Sequence, residues 1–313
     1  MNKRLQMLKK WISILSGKNV LAVEQGIGKI YSKVEIMGYY NDLTNKVKYS
    51  NTLDEKSIPV NFNHNGEKVY FPIAIAQFGL GAYDLFLLTK ETSHCEKFIN
   101  AANWLLDNQE EDGGWDAFER IGHTDCHKYS AMAQGEGASI LIRAYLHTND
   151  TRYYNGAIRA IDLMLKPVEE GGTARYLGEK LYLEEYVKDK PNLVLNGWVF
   201  AIFGLLDVFK LTQDVRYKDA LEGTLKTLTE ELNNYDTGYW SFYDQCGLIA
   251  SPFYHNLHIA LLNVLYDLFE IKEFQQQGDK WSGNQKNIFK KTLAVCRKAM
   301  QKIINPGQSI IVK

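Results

Sequence analysis

An excess of either charge is missing from this 313-residue chain: 36 basic and 37 acidic side chains leave a net charge of -1. That excludes the broad positive surface of a general nucleic-acid binder, so an anionic ligand has to be held by a local patch. Cysteine is scarce as well. Cys95, Cys126, Cys246 and Cys296 are scattered, with no C-x-x-C pair, which excludes a disulfide-dense secreted scaffold and fits a reducing compartment. The 6 prolines and 24 glycines are too few for a collagen-like or disordered chain, and 45% hydrophobic content suffices for a large core. A long amino-terminal apolar run is also lacking. Lys3, Arg4, Lys9 and Lys10 accompany Trp11 to Leu15, but Gly17-Lys18-Asn19 cuts that run well short of a membrane span. No membrane span and a cytoplasmic location are expected, with a degenerate signal peptide as the alternative.

What is present is repetition. Residues 1–70 show little helical periodicity after the first fifteen or so, and Ile58 to Phe62 and Lys68 to Phe71 flank His64-Asn65-Gly66, an Asn-Gly hairpin signal. From Pro72 the character changes to long apolar runs: Ile73 to Leu88, Ala138 to Tyr145, Leu195 to Leu211 and Ile259 to Phe269. Thr148-Asn-Asp150-Thr-Arg152-Tyr153 and Thr212-Gln-Asp214-Val-Arg216-Tyr217 share a T-x-D-x-R-Y pattern in which Asp150 and Asp214 are expected helix N-caps. The equivalent turn of the first unit is read as a capping box at Ser93-His-Cys-Glu96. Units end in glycine and aromatics at Asp112-Gly-Gly-Trp115, Gly171 to Tyr176 and Thr237 to Trp240. Four starts line up at Gln77, Gln134, Asn196 and Asn256. An all-apolar helix belongs inside and one with a polar face outside. The expected fold class is therefore all-α, an incomplete (α/α) toroid of about four helical hairpins over 71–313, preceded by a small β-containing segment over 1–70. In such a fold the polar residues opening each inner helix gather on one rim, where chemistry is expected.

Several motifs reach that rim. Glu184-Glu185-Tyr186 places two acids and a phenol there; an acid beside a tyrosine can serve as a base and acid pair when burial moves their pKa values, or it can be a solvated acidic loop. Phe253-Tyr254-His255-Asn-Leu-His258 sets two histidines at i and i+3, open to a metal pair but without locally spaced carboxylates or thiolates to complete it, so a core or ligand-facing pair is the other reading. His123-Thr-Asp-Cys126-His127 is read as a loop on the same grounds. No metal and no cofactor are expected. Gln134 and Glu136 stand among Gly and Ala in a tight apolar helix, where an unpaired polar group is costly. Gln109-Glu-Glu-Asp-Gly-Gly-Trp115 is similar to the Q-x-x-D-G-G-W signature of terpene cyclases, with a structural reading in which the glycines turn and Trp115 covers a helix end. The D-x-D-D run needed to protonate a polyene is absent.

Taken in order, Tyr70-Phe-Pro-Ile-Ala-Ile-Ala-Gln77-Phe-Gly-Leu80, Asn108 to Trp115, Tyr129-Ser-Ala-Met-Ala-Gln-Gly135, Glu184-Glu-Tyr186, Val194-Leu-Asn-Gly197 and Tyr235-Asp-Thr-Gly238 resemble the C-terminal domain of the D-glucuronyl C5-epimerases. These enzymes turn D-glucuronate into L-iduronate in heparan-type chains. The resemblance runs over about residues 36–268. It implies an α/α-barrel catalytic domain that removes the C5 proton of a uronate and returns one to the opposite face, with Glu185, Tyr186 and Tyr254 as catalytic residues. Tyr70, Gln77, Gln134, Arg175, Asn196, His255 and His258 are the expected substrate contacts, and a uronate-containing polysaccharide is the expected partner. Oligomeric state is open, a homodimer included.

Three departures accompany the resemblance. Leu88 to Ser93 is a short turn where the vertebrate enzymes carry a large β-rich insertion. Gln245 to Phe253 holds no basic residue, where the family supplies arginines for the uronate carboxylate; Arg175, with Lys180 in reserve, is the expected substitute. Phe71 precedes Pro72, with Tyr70 one place earlier. A uronate lyase or glycosidase on the same toroid, and a noncatalytic glycan-binding protein, are the rival readings.

Overall fold

The computed structural model describes residues 23–50, 52–63 and 66–304; the basic and apolar stretch at 3–19 lies outside them. The ten α-helices among the described residues are α1 (Thr44–Lys48), α2 (Pro72–Thr89), α3 (Thr92–Asp107), α4 (Ala131–Thr148), α5 (Thr151–Leu165), α6 (Leu195–Thr212), α7 (Val215–Glu231), α8 (Pro252–Phe269), α9 (Lys272–Lys286) and α10 (Ile288–Ile304). Four pairs, α2/α3, α4/α5, α6/α7 and α8/α9, are antiparallel hairpins, so the expected incomplete α/α toroid is what the chain forms. Helices α2, α4, α6 and α8 make the inner layer, each in contact with the next. Two of them, α2 and α6, are long and apolar enough to cross a membrane, and both are mostly buried within the fold. The close approach of α4 to α6 depends on Gly135, which lies against the backbone of Ala201 and Gly204.

Each inner helix is 18 residues long and stops at a residue in the left-handed region: Lys90, Asn149, Gln213 and Glu270, with φ of 63, 59, 56 and 58°. The first three end on a threonine. The hydroxyls of Thr89, Thr148 and Thr212 donate to the carbonyl four residues back at 2.9, 2.7 and 2.9 Å and accept the amide two residues on at 3.2 Å. Asp150 and Asp214 then cap α5 and α7 as expected, accepting from Arg152 N and Arg216 N at 2.9 and 2.8 Å. The tyrosines of the same motif tie outer helices together: Tyr153 donates to Asn103 of α3 at 2.6 Å, and Tyr217 to Asp162 of α5 at 2.8 Å. Ser93 is not a cap. Because α2 ends at the same register as its counterparts, the next helix starts at Thr92 with Glu91 as N-cap, and Ser93 falls inside the first turn.

Strands β1 (Asn61–Phe62) and β2 (Lys68–Val69) form the expected amino-terminal hairpin, pairing Asn61 with Val69 and Phe62 with Lys68; His64 and Asn65 of its turn lie outside the described residues. A second hairpin, β3 (Ala174–Leu177) and β4 (Lys180–Leu183), joins α5 to α6 and is a departure from a purely helical toroid.

The segment before α1 crosses the ring where the inner helices end. Asp84 of α2 accepts Tyr39 N at 2.9 Å. Arg143 of α4 donates to Met37 O and Gly38 O at 2.9 and 3.1 Å. Asp207 of α6 accepts Tyr40 OH at 2.7 Å, and Asp267 of α8 accepts Tyr31 OH at 2.7 Å. Tyr39, Tyr40 and Leu43 join the same core as the helices. The carboxyl-terminal mouth of the ring is thus closed, and the amino-terminal mouth is where polar side chains collect.

Candidate active site

The β3–β4 hairpin delivers the acidic pair. Its ladder continues past β4, with Glu184 N donating to Thr173 O at 3.0 Å and Tyr186 bridged to Asn192. Successive strand residues face opposite sides, and here the alternation separates the two glutamates. Glu184 turns to β3 and takes Arg175, which also donates to Lys188 O at 2.7 Å. Glu185 turns to the start of α6 and lies on Gly197, where a Cβ would stand 2.2 Å from its Oε2; only glycine leaves room for the carboxyl. Glu185 is 4% exposed and its Oε2 has no hydrogen-bond partner. Burial pushes this carboxyl up to about 8, against the opposing effect of the nearby Tyr186 hydroxyl.

Tyrosines extend the arrangement. Tyr243 lies near enough to Tyr186 and Tyr254 for each to act on its titration. Its ring meets that of Tyr254 edge-on, with centroids 4.7 Å apart. Tyr254 stands in the first turn of α8, which Ser251 caps and Pro252 opens. Tyr186 stacks on Phe118 at 4.9 Å and takes the edge of His123 at 6.1 Å. Burial and the nearby Glu185 carboxylate push all three phenols up, Tyr254 to about 12. Tyr243 was not among the expected site residues. It sits three residues after Trp240, in a stretch without periodicity, and only the packing of that loop on α8 brings it to the others.

Behind this group, Gln77 of α2 donates to Glu136 of α4 at 3.1 Å, and burial, with a smaller effect of Glu185, pushes the Glu136 carboxyl well up against Gln77 and Lys46. Glu136 Oε2, Asn196 Oδ1 and His258 Nε2 are buried without partners. Native proteins leave few such atoms, and those that remain mark places where something else binds or reacts.

Other expected contacts are placed differently. Gln134 is spent on structure: its Nε2 donates to Gly113 O and Ala160 O at 3.0 and 3.2 Å, and its Oε1 accepts Trp115 N at 3.2 Å. With Gln109, which holds Gly113 O and Gly156 O at 2.9 Å, it clamps the turn before α4. Trp115 is fully buried and donates to Leu105 O at 2.8 Å, covering the end of α3. Arg175 is committed to Glu184 and Lys188, and Lys180 to Glu231 at 2.6 Å. Tyr70 donates to Asp54 at 2.9 Å and stacks on Trp104 of the outer helix α3, since the one-place offset from Pro72 turns it away from the ring. His255 is a core histidine, stacked 3.7 Å from Trp240 and bonded to Ser241 and Trp281 O. Asn256 shares the same helix end as Gln77, Gln134 and Asn196, but it is exposed and pairs with Gln285 of α9.

The two α8 histidines meet at Ser241 Oγ, 2.8 and 3.0 Å away, rather than at acids. Of the described residues, His123, Asp125 and Cys126 bring metal-ligating atoms within 4.8 Å of one another, with Asp125 also ion-paired to Lys188 at 2.9 Å.

Comparison with known proteins gives the family and the fold. Residues 109–283 match the family described as the D-glucuronyl C5-epimerase C-terminus. A D-glucuronyl C5-epimerase of Caenorhabditis elegans is 30% identical over 219 residues, covering 62% of this chain and 36% of that protein. An uncharacterised protein of Methanocaldococcus jannaschii is 31% identical over 155 residues, covering 48% of this chain and 50% of that one. The chain therefore spans between a third and a half of the length of these curated relatives. A GH76 α-mannanase of Bacteroides thetaiotaomicron has the same fold at 14% identity and a TM-score of 0.52, over 97% of this chain and 98% of that one. The cellobiose 2-epimerase of Spirochaeta thermophila has it at 10% identity and a TM-score of 0.51, over 75% and 64%.

Proposed function

The chain belongs to the D-glucuronyl C5-epimerase C-terminal family, and from that premise we propose that it inverts C5 of D-glucuronate residues in a uronate-containing polysaccharide or its precursor, giving L-iduronate. The observation that carries the reading is the buried Glu185 carboxyl set close to the phenols of Tyr186, Tyr243 and Tyr254, whose titration it raises. A C5 proton lies α to a carboxylate and is removed only when the charge spreading into that carboxylate is stabilised. A group with a pKa near the working pH is the most effective base. Glu185, at about 8, meets this condition, whereas the Tyr186 phenol is held well above its ordinary value.

In the proposed step the C5–H bond breaks toward Glu185 and its electron pair moves into the carboxylate. The Tyr254 hydroxyl then delivers a proton to the opposite face. Tyr243 and Tyr186 offer a path by which the proton gained by Glu185 returns to Tyr254, resetting both groups without a further reactant.

Incubation with unsulfated glucuronate polymers in deuterated water tests this by the appearance of deuterium at C5. Glu185→Gln and Tyr254→Phe are expected to lower exchange by about 100-fold or more, the usual contribution of a positioned acid or base. Tyr243→Phe interrupts the return path and is expected to lower it as well. Ultraviolet-absorbing unsaturated product would point to elimination instead, and binding without exchange on several uronate polymers would leave a glycan-binding protein.

A further inference from the structure

The proposed reaction requires a cation at the substrate carboxylate, and the basic side chains expected there are occupied, Arg175 by Glu184 and Lys180 by Glu231, as is Lys188 by Asp125. The segment from Gln245 to Phe253 has none of its own. Helix α10 lies directly on that segment, with Gln301 accepting Ile249 N at 3.0 Å and donating to Gly247 O at 2.8 Å. One turn earlier on the same helix, Lys298 is 6% exposed and sets its Nζ 5.8 Å from the centroid of Tyr243, the ring that packs on Tyr254. No described carboxylate is at ion-pair distance from it. Asp244, whose charge acts on Lys298, is engaged by the amides of Cys246 and Leu248 at 3.1 and 3.0 Å.

We propose that Lys298 receives the carboxylate of the reacting uronate and so places its C5 between Glu185 and Tyr254, an assignment that rests on the epimerase reading above. A charge on a largely buried side chain without a counter-ion is costly, and an anion arriving with the substrate reduces that cost. The same contact neutralises the charge that builds on the carboxylate when C5 loses its proton. Helix α10 follows the family-matched residues 109–283, so this cation is supplied by a part of the chain that the family match does not reach. Burial and Lys302 on the same helix lower the Lys298 pKa to about 8, with Asp244 from the preceding loop acting in the opposite direction; His258 of α8 feels the Lys298 charge in turn.

Lys298 is a positioning residue, and its test separates charge from packing. Affinity for a uronate chain and for the same chain with its carboxyls reduced to alcohols is measured by calorimetry, alongside C5 deuterium exchange. Lys298→Met keeps the length of the side chain and removes the charge. It is expected to lower kcat/KM for the uronate by about 100-fold, with affinity for the reduced chain unchanged and Lys298→Arg within about tenfold of wild type. Full exchange in Lys298→Met, or equal loss of both ligands, overturns the proposal. Should the methionine variant fail to fold, binding by Glu185→Gln still decides, because Lys298 then titrates without Glu185 titrating over the same range: its preference for the uronate over the reduced chain falls between pH 7 and 9.5, and a flat preference overturns the assignment. A wild type that prefers the uronate but does not exchange C5 defeats the epimerase reading and leaves Lys298 as the carboxylate anchor.

Discussion

The Glu185 carboxyl gives up its proton near 4.5 in an unfolded chain and keeps it to about 8 in the folded one. Between those values the unfolded chain releases a proton that the folded chain retains, so this group's contribution falls as pH rises through the window and levels off above 8. Glu185→Gln resembles the protonated acid at every pH. The variant is therefore expected to match wild type near pH 4.5 and to exceed it at pH 8 by on the order of 3–5 kcal/mol, while C5 exchange is lost. Chemical denaturation of both proteins across this range measures the difference, in which the other titrating groups cancel. A stability gap that is flat with pH would mean that the carboxyl is ionised throughout and that its burial is relieved by solvent. At this scale the sequence was partly legible. The Glu184-Glu185-Tyr186 and Tyr254-His255 blocks pointed to the mouth of the ring at which the structure gathers Glu185, Tyr186 and Tyr254. Arg175 and Gln134 were misjudged because only the fold reveals that Glu184 and the carbonyls of Gly113 and Ala160 already claim them. Lys298 carried no sequence signal at all, being one lysine among several on an amphipathic helix.

The helical hairpins were legible because each repeats the same solution: eighteen residues, a left-handed stop, and the next helix's cap position one residue later. Their register could be read from T-x-D-x-R-Y in two units, whereas Glu91 and Ile271, which occupy the cap position in the others, make no side-chain cap bond. The β3–β4 hairpin was missed because its strands are four residues long, too short for period-2 alternation to stand out beside the glycines that flank them. The stops themselves are strained, since a residue with a Cβ in the left-handed region costs about 1 kcal/mol that glycine does not incur. Lys90→Gly and Gln213→Gly are each expected to stabilise the protein by about 0.5–1 kcal/mol, the added freedom of glycine in the unfolded chain offsetting part of the relief. A higher denaturation midpoint with an unchanged slope would show it. Equal or lower stability would mean that the side chains at these turns contribute contacts that outweigh the strain.

Across the whole molecule the site exists because the ring is open at one mouth and shut at the other. Arg143 and Asp207 are 1% and 0% exposed and 2.6 Å apart, and together they hold the amino-terminal segment across the closed mouth. Asp207 also accepts Tyr40 OH and Ser139 OH, both at 2.7 Å, while the guanidinium spends its remaining donors on Met37 O, Gly38 O and Ser139 O. The segment is thus bound to the core by charge as well as by the burial of Tyr39, Tyr40 and Leu43. Removing one member of a buried pair leaves an uncompensated charge and typically costs about 3–5 kcal/mol. Arg143→Ala is expected to lose that much, because Asp207 retains only two neutral donors and three carbonyls lose theirs. The damage should begin at the segment, so trypsin is expected to cut after Lys29 and Lys33 in the variant before it cuts within the helices. A loss below about 1 kcal/mol with an unchanged cleavage pattern would show that apolar burial alone holds the mouth closed, and that the Arg143–Asp207 pair sets which residues meet there without deciding whether they stay.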